Sequence, residues 1–164
     1  GLELTLEEAE LGTVRTFSFD AGAGSRRIEV TIPKGTRDGA KLKLKGQGAK
    51  GPAGPGDLYL KVTVAPHALF VPSGDDLRMD LEIPVEDAVL GGEAKVPLLG
   101  GRFATLKVPE ATQNGKLFRL KGEGLSKKGG GKGDLYARIK VVLPERATEQ
   151  VKRAFEELRR ANRP

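Results

Sequence analysis

Few side chains of this sequence can carry acid/base, nucleophilic or metal chemistry. His67 is the single histidine and cysteine is absent, so thiol nucleophiles, zinc knuckles and common transition-metal sites have almost no residues to use. His67 stands beside Pro66 with no recognisable nucleophile motif nearby, which favours a local hydrogen-bonding role over general acid/base catalysis. Asp75 and Asp76 follow a Ser-Gly turn pair, where carboxylates usually bond to the backbone, and the rest of a calcium loop is missing. The sequence therefore predicts a protein that is not an enzyme and uses no metal and no cofactor.

Lysines in and beside glycine-rich stretches are the second feature that could bind a ligand. Gly46 to Gly56 and Ser126 to Gly133 are rich in glycine and contain lysine, yet neither matches the phosphate-binding pattern G-x-x-x-x-G-K-[ST]. Lys41, Lys43 and Lys45 alternate with leucines, which puts the ammonium groups on one face of a predicted strand. The net charge is +6, from 28 basic and 22 acidic residues. The basic surface is either simply solvated or binds an anion, and a nucleic-acid-binding module stays open as an alternative function.

Apolar residues on two predicted strands form the best candidate binding site. Phe17 and Phe19 are spaced by two, with Arg15 on the same face, and Leu2 and Leu4 alternate on the first strand. One interpretation is that the phenylalanines fill the core. The other is a groove beside Leu2 and Leu4 in which an extended peptide adds a strand and places its apolar side chains in pockets, with Arg15 at the rim for acidic groups.

The elements that position these residues belong to a unit that occurs twice. Ile32 to Gly48 and Val108 to Gly124 share one pattern displaced by 76 positions, and Gly-Asp-Leu-Tyr follows each copy, at Gly56 and at Gly133. Recurring glycines and prolines indicate a repeated backbone path rather than a repeated catalytic group. Short alternating segments rich in Val, Ile and Leu predict strands, and the segments Val14 to Phe19 and Ile28 to Ile32, on either side of a loop, predict a hairpin. The predicted fold class is therefore mainly β, with two tandem sandwich-like or barrel-like domains of repeated topology and a C-terminal α-helix.

Two helices can be placed from their caps. Thr5 and Glu8 form a capping box for a short helix that ends at Gly12, and Thr148 is the predicted N-cap of a helix near the C-terminus. We predict a first domain with its linker at 1–75, a second domain at 76–144 and the helical segment at 145–164. The helical segment carries an apolar stripe that either folds back on its own chain or meets a second copy, and its position after a complete second unit favours a homodimer. The stripe consists of Val151, Ala154, Phe155 and Leu158.

No segment approaches the ~18 to 20 apolar residues that cross a membrane, and the N-terminal residues lack the pattern of a signal peptide. The expectation is a soluble, cytoplasmic protein without a membrane partner.

Six segments of the chain, in the same order, resemble the C-terminal client-binding region of DnaJ-type co-chaperones. They are Leu6 to Gly12, Ile32 to Gly39, Gly56 to Tyr59, His67 to Leu77, Ile83 to Gly92 and Gly133 to Tyr136. The resemblance implies two stacked β domains and a C-terminal helix that pairs two protomers into a V-shaped dimer. It also implies a function, which is to hold apolar segments of unfolded proteins and deliver them to a DnaK-type ATPase chaperone.

The resemblance assigns the binding residues by position. The client-peptide groove of the first domain falls on the residues singled out above and on the neighbouring strand, namely Leu2, Leu4, Arg15, Phe17, Phe19, Ile28 and Val30. Its counterpart in the second domain falls on Leu81, Ile83, Val96, Leu98 and Leu106. In some relatives the acidic C-terminal tail of the ATPase partner docks in the first domain, which implies a role for Arg15, Arg26 and Arg27.

The sequence departs from the complete family pattern in three respects. His67 is followed by Ala68, so the His-Pro-Asp motif is missing; no helical J domain precedes Gly1; and the zinc-binding insertion is absent. We therefore expect a fragment that cannot by itself stimulate ATP hydrolysis, from the subclass without zinc. That subclass includes proteins reported to bind curved DNA, which keeps the nucleic-acid alternative open.

Overall fold

A computed structural model describes residues 1–20, 25–44, 50–51 and 54–163 of the chain. Within these ranges, the side chains of residues 19, 20, 25, 26, 50, 51, 54 and 55 lie outside the description.

Strands make up most of the described secondary structure, in agreement with the predicted fold class. The strands are β1 (Leu2–Leu4), β2 (Thr13–Asp20), β3 (Ser25–Ile32), β4 (Lys41–Leu44), β5 (Lys50–Gly51), β6 (Gly54–Pro55), β7 (Leu58–Val64), β8 (Val71–Ser73), β9 (Asp76–Pro84), β10 (Gly92–Pro97), β11 (Phe103–Val108), β12 (Leu117–Leu120) and β13 (Leu135–Val142). The helices are α1 (Leu6–Leu11), α2 (Val85–Leu90) and α3 (Glu149–Ala161).

The strands form small sheets rather than one large one. The strand orders are β1-β7-β4, β12-β13-β9-β8, β2-β3, β10-β11 and β5-β6. β1 runs parallel to β7, whereas β2 with β3 and β10 with β11 are antiparallel. The predicted hairpin of the first copy is confirmed, because Thr13 pairs with Ile32 and the register continues to Asp20 and Ser25.

The short helix α1 follows β1 directly and is held by the predicted capping box. The Thr5 hydroxyl accepts from the Glu8 backbone N–H at 3.1 Å, and the Thr5 N–H donates to the Glu8 carboxylate at 3.0 Å. This pair satisfies two of the backbone N–H groups that a helix start leaves without partners. The chain then turns at Gly12 into β2.

The repeat is visible in the backbone where each short helix ends. Gly12 has φ +79° and Gly91 has φ +78°, a region that favours glycine. A Cβ atom at Gly12 would lie 3.0 Å from the Ile32 carbonyl oxygen, and one at Gly91 would lie 3.0 Å from the Val108 carbonyl oxygen. The same steric restriction therefore applies at both positions, which explains why both copies contain glycine at the end of the short helix.

Packing divides the described chain into two units. The first comprises Gly1–Met79, Leu98–Arg102 and Arg119–Tyr136, and the second comprises Asp80–Pro97, Phe103–Phe118 and Ala137–Pro164. The limits at 1–75, 76–144 and 145–164 stay a prediction.

The first unit buries Phe70 and contains a cluster of aliphatic side chains. The buried members of this cluster are Leu2, Leu4, Ala9, Ile28, Val30, Ile32 and Val62. β1, β3, α1 and β7 each contribute to this cluster, and partly buried side chains, Phe17 among them, pack against it. In the second unit, alternate residues of β9, including Leu81 and Ile83, are buried in the same way.

The C-terminal helix α3 begins after Thr148, whose hydroxyl accepts from the Val151 N–H at 3.2 Å, so the predicted N-cap is confirmed. Every described residue of α3 keeps part of its surface exposed.

Candidate functional site

The predicted groove of the first unit lies where β1, α1 and the β2-β3 hairpin come together. Arg15 is opposite Val30 and Phe17 is opposite Ile28 across the hairpin. The Arg15 guanidinium donates to the carbonyl oxygen of Glu3 at 3.2 Å, which brings β2 beside β1. The local reason is the turn at Gly12, which sends β2 back past the helix that follows β1.

Burial separates the predicted groove residues into two groups. The first group is part of the core, because Leu2, Leu4, Ile28 and Val30 are all less than a tenth exposed. Phe17 is only partly buried and packs against this cluster. The side chain of Phe19 lies outside the described residues. Phe17 thus packs against the core and keeps part of its surface exposed, and both interpretations of the phenylalanine pair stay predictions.

The strands at this place have backbone edges that other strands could pair with. Among the described strands, β1 pairs only with β7 and β2 pairs only with β3. A strand edge without a partner presents a row of N–H and C=O groups, which is what a peptide needs in order to add itself to a sheet. The apolar Phe17 and the cationic Arg15 both lie on β2, beside such an edge.

Arg15 is already engaged by the helix cap. Its Nε donates to the Glu8 carboxylate at 3.1 Å, and its side chain is 40% exposed. The pKa of Glu8 lies below its ordinary value of 4.5, mainly because the Thr5 N–H donates a hydrogen bond to the carboxylate. The positive charge of the Arg15 guanidinium lowers this pKa further. An acidic ligand of Arg15 therefore competes with an internal carboxylate that stays ionised.

The other two predicted tail-binding residues lie further along the hairpin. Arg27 is exposed and opposite Ser18, and Arg26 is opposite Phe19, although the Arg26 side chain lies outside the described residues.

The predicted groove residues of the second copy are more deeply buried than expected for contact residues. Leu81, Ile83 and Val96 lie in the second unit and are less than a tenth exposed, and Leu106 is half-buried on β11. Leu98, which packs with the first unit, is also buried. An exposed phenylalanine, Phe103, starts β11 opposite Pro97.

The predicted stripe of α3 is accessible. Phe155 is 36% exposed and Leu158 is 46% exposed. Val151 is half-buried and Ala154 is exposed. These four residues share one face of the helix because they recur at helical spacing.

The residues considered first for chemistry make hydrogen bonds and ion pairs with other groups of the chain. His67 lies with Nε2 2.6 Å from the Glu7 carboxylate, and its Nδ1 accepts from the backbone N–H groups of Leu69 and Phe70 at 3.0 and 3.2 Å. The predicted hydrogen-bonding role of His67 is confirmed. Asp76 accepts from the backbone N–H of Asp134, 58 residues away, at 2.8 Å, so backbone bonding is confirmed for Asp76, whereas the Asp75 carboxylate pairs with the Arg37 guanidinium at 2.8 Å instead. Over the described ranges, no cluster of three or more His, Cys, Asp or Glu residues could hold a metal ion.

Sequence reasoning missed a clamp inside the first unit. The carboxylate of Glu10, a residue only 3% exposed, accepts from both the N–H and the hydroxyl of Ser126, at 2.8 and 2.6 Å. Arg37 donates to the Ser126 carbonyl at 2.7 Å and pairs with Asp75 at 2.8 Å. The one available signal was the difference between the copies, because the counterpart of Glu10, 79 positions on, is the apolar Val89.

No helix in the described part of the chain is long and apolar enough to cross a membrane.

Comparison with known proteins identifies relatives over nearly the whole chain. Residues 1–144 match the family model of the DnaJ C terminal domain. A Chaperone protein DnaJ from Deinococcus proteolyticus is 39% identical over 158 residues, which cover 96% of this chain and 48% of that protein.

Two further relatives have similar names. The Chaperone protein DnaJ 2 of Aquifex aeolicus is 44% identical over 127 residues, covering 76% of this chain and 34% of that protein. The Chaperone protein DnaJ of Pelagibacter ubique is 42% identical over 138 residues, covering 82% of this chain and 37% of that protein. The chain thus spans about half or less of the length of these relatives.

Proposed function

The chain belongs to the DnaJ C-terminal domain family, and from that membership we propose that it is the client-binding region of a co-chaperone. In this proposal it holds apolar segments of unfolded proteins in β-groove sites and delivers them to a DnaK-type ATPase chaperone. Its role is binding and not catalysis, in keeping with relatives that are named chaperones.

The observation that carries the proposal is the position of Phe17 on β2, which among the described strands pairs only with β3. In this proposal a client segment adds its backbone to the other edge of β2, and its apolar side chains contact Phe17. The buried residues Leu2, Leu4, Ile28 and Val30 form the floor that fixes the Phe17 ring. Sequence-tolerant binding follows from this arrangement, because backbone hydrogen bonds do not depend on the client's side chains.

Cationic side chains extend the groove toward acidic groups. We assign Arg15 and Arg27, with Arg26, to the acidic C-terminal tail of the ATPase partner. The contact with Arg15 depends on exchange of its Glu8 partner for a carboxylate of the tail, so it is weak and sensitive to salt.

A second, weaker groove is assigned to the second unit. Its floor is formed by Leu81, Ile83 and Val96, with Leu106 as its most accessible member. The copies differ where contact would occur, since Arg15 and Phe17 in the first correspond to Ala94 and Val96 in the second. Two grooves of different selectivity follow from that difference.

Dimerisation is assigned to α3. A helix of 13 residues with an apolar stripe and no buried residue gains little stability alone. Packing against the same helix of a second copy covers Phe155 and Leu158 and doubles the number of grooves.

A binding experiment with two matched variants tests the groove. Phe17→Ser should weaken binding of an unfolded apolar polypeptide while circular dichroism stays native. Val71→Ser removes a 61% exposed apolar side chain of β8 in the same unit and should leave binding unchanged. Equal affinity of the Phe17→Ser variant and the original chain would remove the groove assignment.

A further inference from the structure

We infer that the solvent side of the sheet formed by β4 and β7 binds single-stranded nucleic acid, at a site separate from the client groove. The site consists of Lys41, Lys43, Tyr59 and Lys61, called here the lysine face. All four side chains are exposed, while the alternating leucines of the same strands turn inward and pack against the core of the first unit.

Two like charges lie directly opposite each other on this face. The register of β4 and β7 pairs Lys41 with Lys61. Directly opposite residues have Cβ atoms about 4.5–5.5 Å apart, and like charges in such positions destabilise a sheet. The pair therefore works against folding and indicates a ligand that brings negative charge between the two ammonium groups.

The part of the chain that the structure describes does not place a negative charge there. Among the described residues, no carboxylate lies within ion-pair distance of Lys41 or Lys61, whereas Lys43 lies 3.3 Å from Asp57. A contrasting arrangement occurs on β10 and β11, where Lys107 is opposite Glu93. The Lys41 and Lys61 ammonium groups thus remain available to an anion from solution.

Tyr59 adds an aromatic surface to the two lysines. It is opposite Lys43 and two residues from Lys61, and it is 59% exposed. A tyrosine, Tyr136, also occupies the equivalent position of the second copy, where it is half-buried, so the greater exposure of Tyr59 is specific to the first copy. A flat ring beside free cations is the combination with which proteins bind single strands, because bases stack on the ring while lysines contact the phosphates.

The second copy shows that the fold does not need this arrangement. Ile139 bonds with Gly115 and Lys116 as Val62 bonds with Gly39 and Ala40, so the two pairs of strands are equivalent. At the position of Lys41 the second copy has Leu117, and at the position of Lys61 it has Arg138. The like-charge pair is therefore specific to the first copy and separable from the common scaffold.

A single strand fits these observations better than an acidic peptide or a duplex. A peptide supplies carboxylates but no flat base for Tyr59, and a duplex keeps its bases stacked inside. A single strand supplies phosphates and accessible bases at once.

The test measures binding of the 164-residue chain to labelled oligothymidylate, polyglutamate of similar length and a duplex, each over a range of salt concentrations. Lys41→Gln with Lys61→Gln removes the pair, and Lys95→Gln with Lys107→Gln is the charge-matched control on strands of the second unit. Loss of two phosphate contacts should lower the slope of log K against log salt for oligothymidylate by about 1.4. The same double variant should raise the midpoint of thermal unfolding, because the repulsion is gone.

A second variant tests whether the Tyr59 ring contributes to binding. Tyr59→Leu should reduce the affinity for oligothymidylate by about 5- to 160-fold and leave polyglutamate binding unchanged. The chain has two tyrosines and no tryptophan, so in a Tyr136→Phe background tyrosine emission comes from Tyr59 alone and should be quenched by the stacked base.

The proposal is overturned if the control lowers affinity as much as the Lys41/Lys61 variant. It is also overturned if Tyr59→Leu has no effect, if polyglutamate or the duplex binds as tightly as oligothymidylate, or if no binding occurs at low salt. Each of these results is separable from the client-binding assay, which depends on Phe17.

Discussion

The carboxylate of Glu8 is shared between the cap of α1 and Arg15 of β2, which donates to it at 3.1 Å. One short helix thereby fixes the cation at the rim of the proposed groove. It also limits what that cation can do, because any acidic ligand must replace an internal partner. The helix cap and the binding of acidic groups are thus coupled through one side chain.

Replacing Glu8 with glutamine separates the two roles. Glutamine can still accept from the Thr5 N–H, so the capping box persists, but the charge opposite Arg15 is lost. Affinity for an acidic C-terminal peptide should rise by about 1.4- to 5-fold, since exposed ion pairs are worth about 0.2–1 kcal/mol. Arg15→Gln should lower the affinity instead. Fluorescence anisotropy at two salt concentrations would detect both changes, and a Glu8→Gln variant that binds more weakly would exclude Arg15 as the tail contact.

The clamp on Ser126 should contribute measurably to stability. Glu10→Ala removes the acceptor of the Ser126 N–H and hydroxyl in a buried place, which costs about 1–3 kcal/mol for a group left without a partner. Glu10→Gln keeps an oxygen acceptor and should cost less. Urea unfolding and the exchange rate of the Ser126 amide measure both effects, with Val89→Ala as the control at the equivalent, exposed position of the second copy. Equal stability of the Glu10→Ala variant and the original chain would contradict a stabilising clamp.

Asp134 should make the fold sensitive to acid. The Gly122 N–H and the Arg119 guanidinium, the latter 2.7 Å away, hold the pKa of Asp134 below its ordinary value of 3.8. A lowered pKa in the folded state contributes stability that is fully present above pH 3.8 and is lost as the pH falls through the lowered value. Asp134→Asn should therefore lower stability at neutral pH and flatten its decline below pH 3.8. Unfolding curves from pH 7 to pH 2 test this, and an unchanged acid limb in the variant would contradict it.

The stripe of α3 should control the association state. Phe155→Glu with Leu158→Glu places two charges where a second helix would pack, so we expect a monomer in sedimentation experiments. Arg153→Gln with Arg160→Gln lowers the net charge by the same amount on the opposite face and should leave the dimer intact. An original chain that is already monomeric at high micromolar concentration would rule out dimerisation through α3.

Local patterns predicted the elements that depend on local chemistry. The capping box at Thr5, the turn at Gly12, the hairpin from Thr13 to Ile32 and the helix after Thr148 all follow from side-chain-to-backbone bonds or from alternation. These patterns involve residues close together in the sequence, so the element forms at the same residues that show the pattern.

The features that the sequence did not predict depend on contacts between residues that are far apart in the sequence. Glu10 and Ser126 are 116 residues apart, and no periodicity indicates that a glutamate on a short helix is buried against a loop. The pairing of Lys41 with Lys61 likewise requires the register of two strands. The nearly complete burial of Leu2, Leu4, Ile28 and Val30 could not be predicted either. Alternation identifies the apolar face of a strand but not what packs against that face.

The groove itself is tested most directly by a residue-resolved NMR titration of the isotope-labelled chain with an unfolded apolar peptide. If the peptide adds a strand to β2 and contacts Phe17, the largest shifts should fall on the amides of Leu2–Leu4 and Thr13–Asp20, and the Phe17 ring signals should move with them. Shifts confined to other parts of the chain, with β1, β2 and the Phe17 ring unchanged at saturation, would contradict the proposed site.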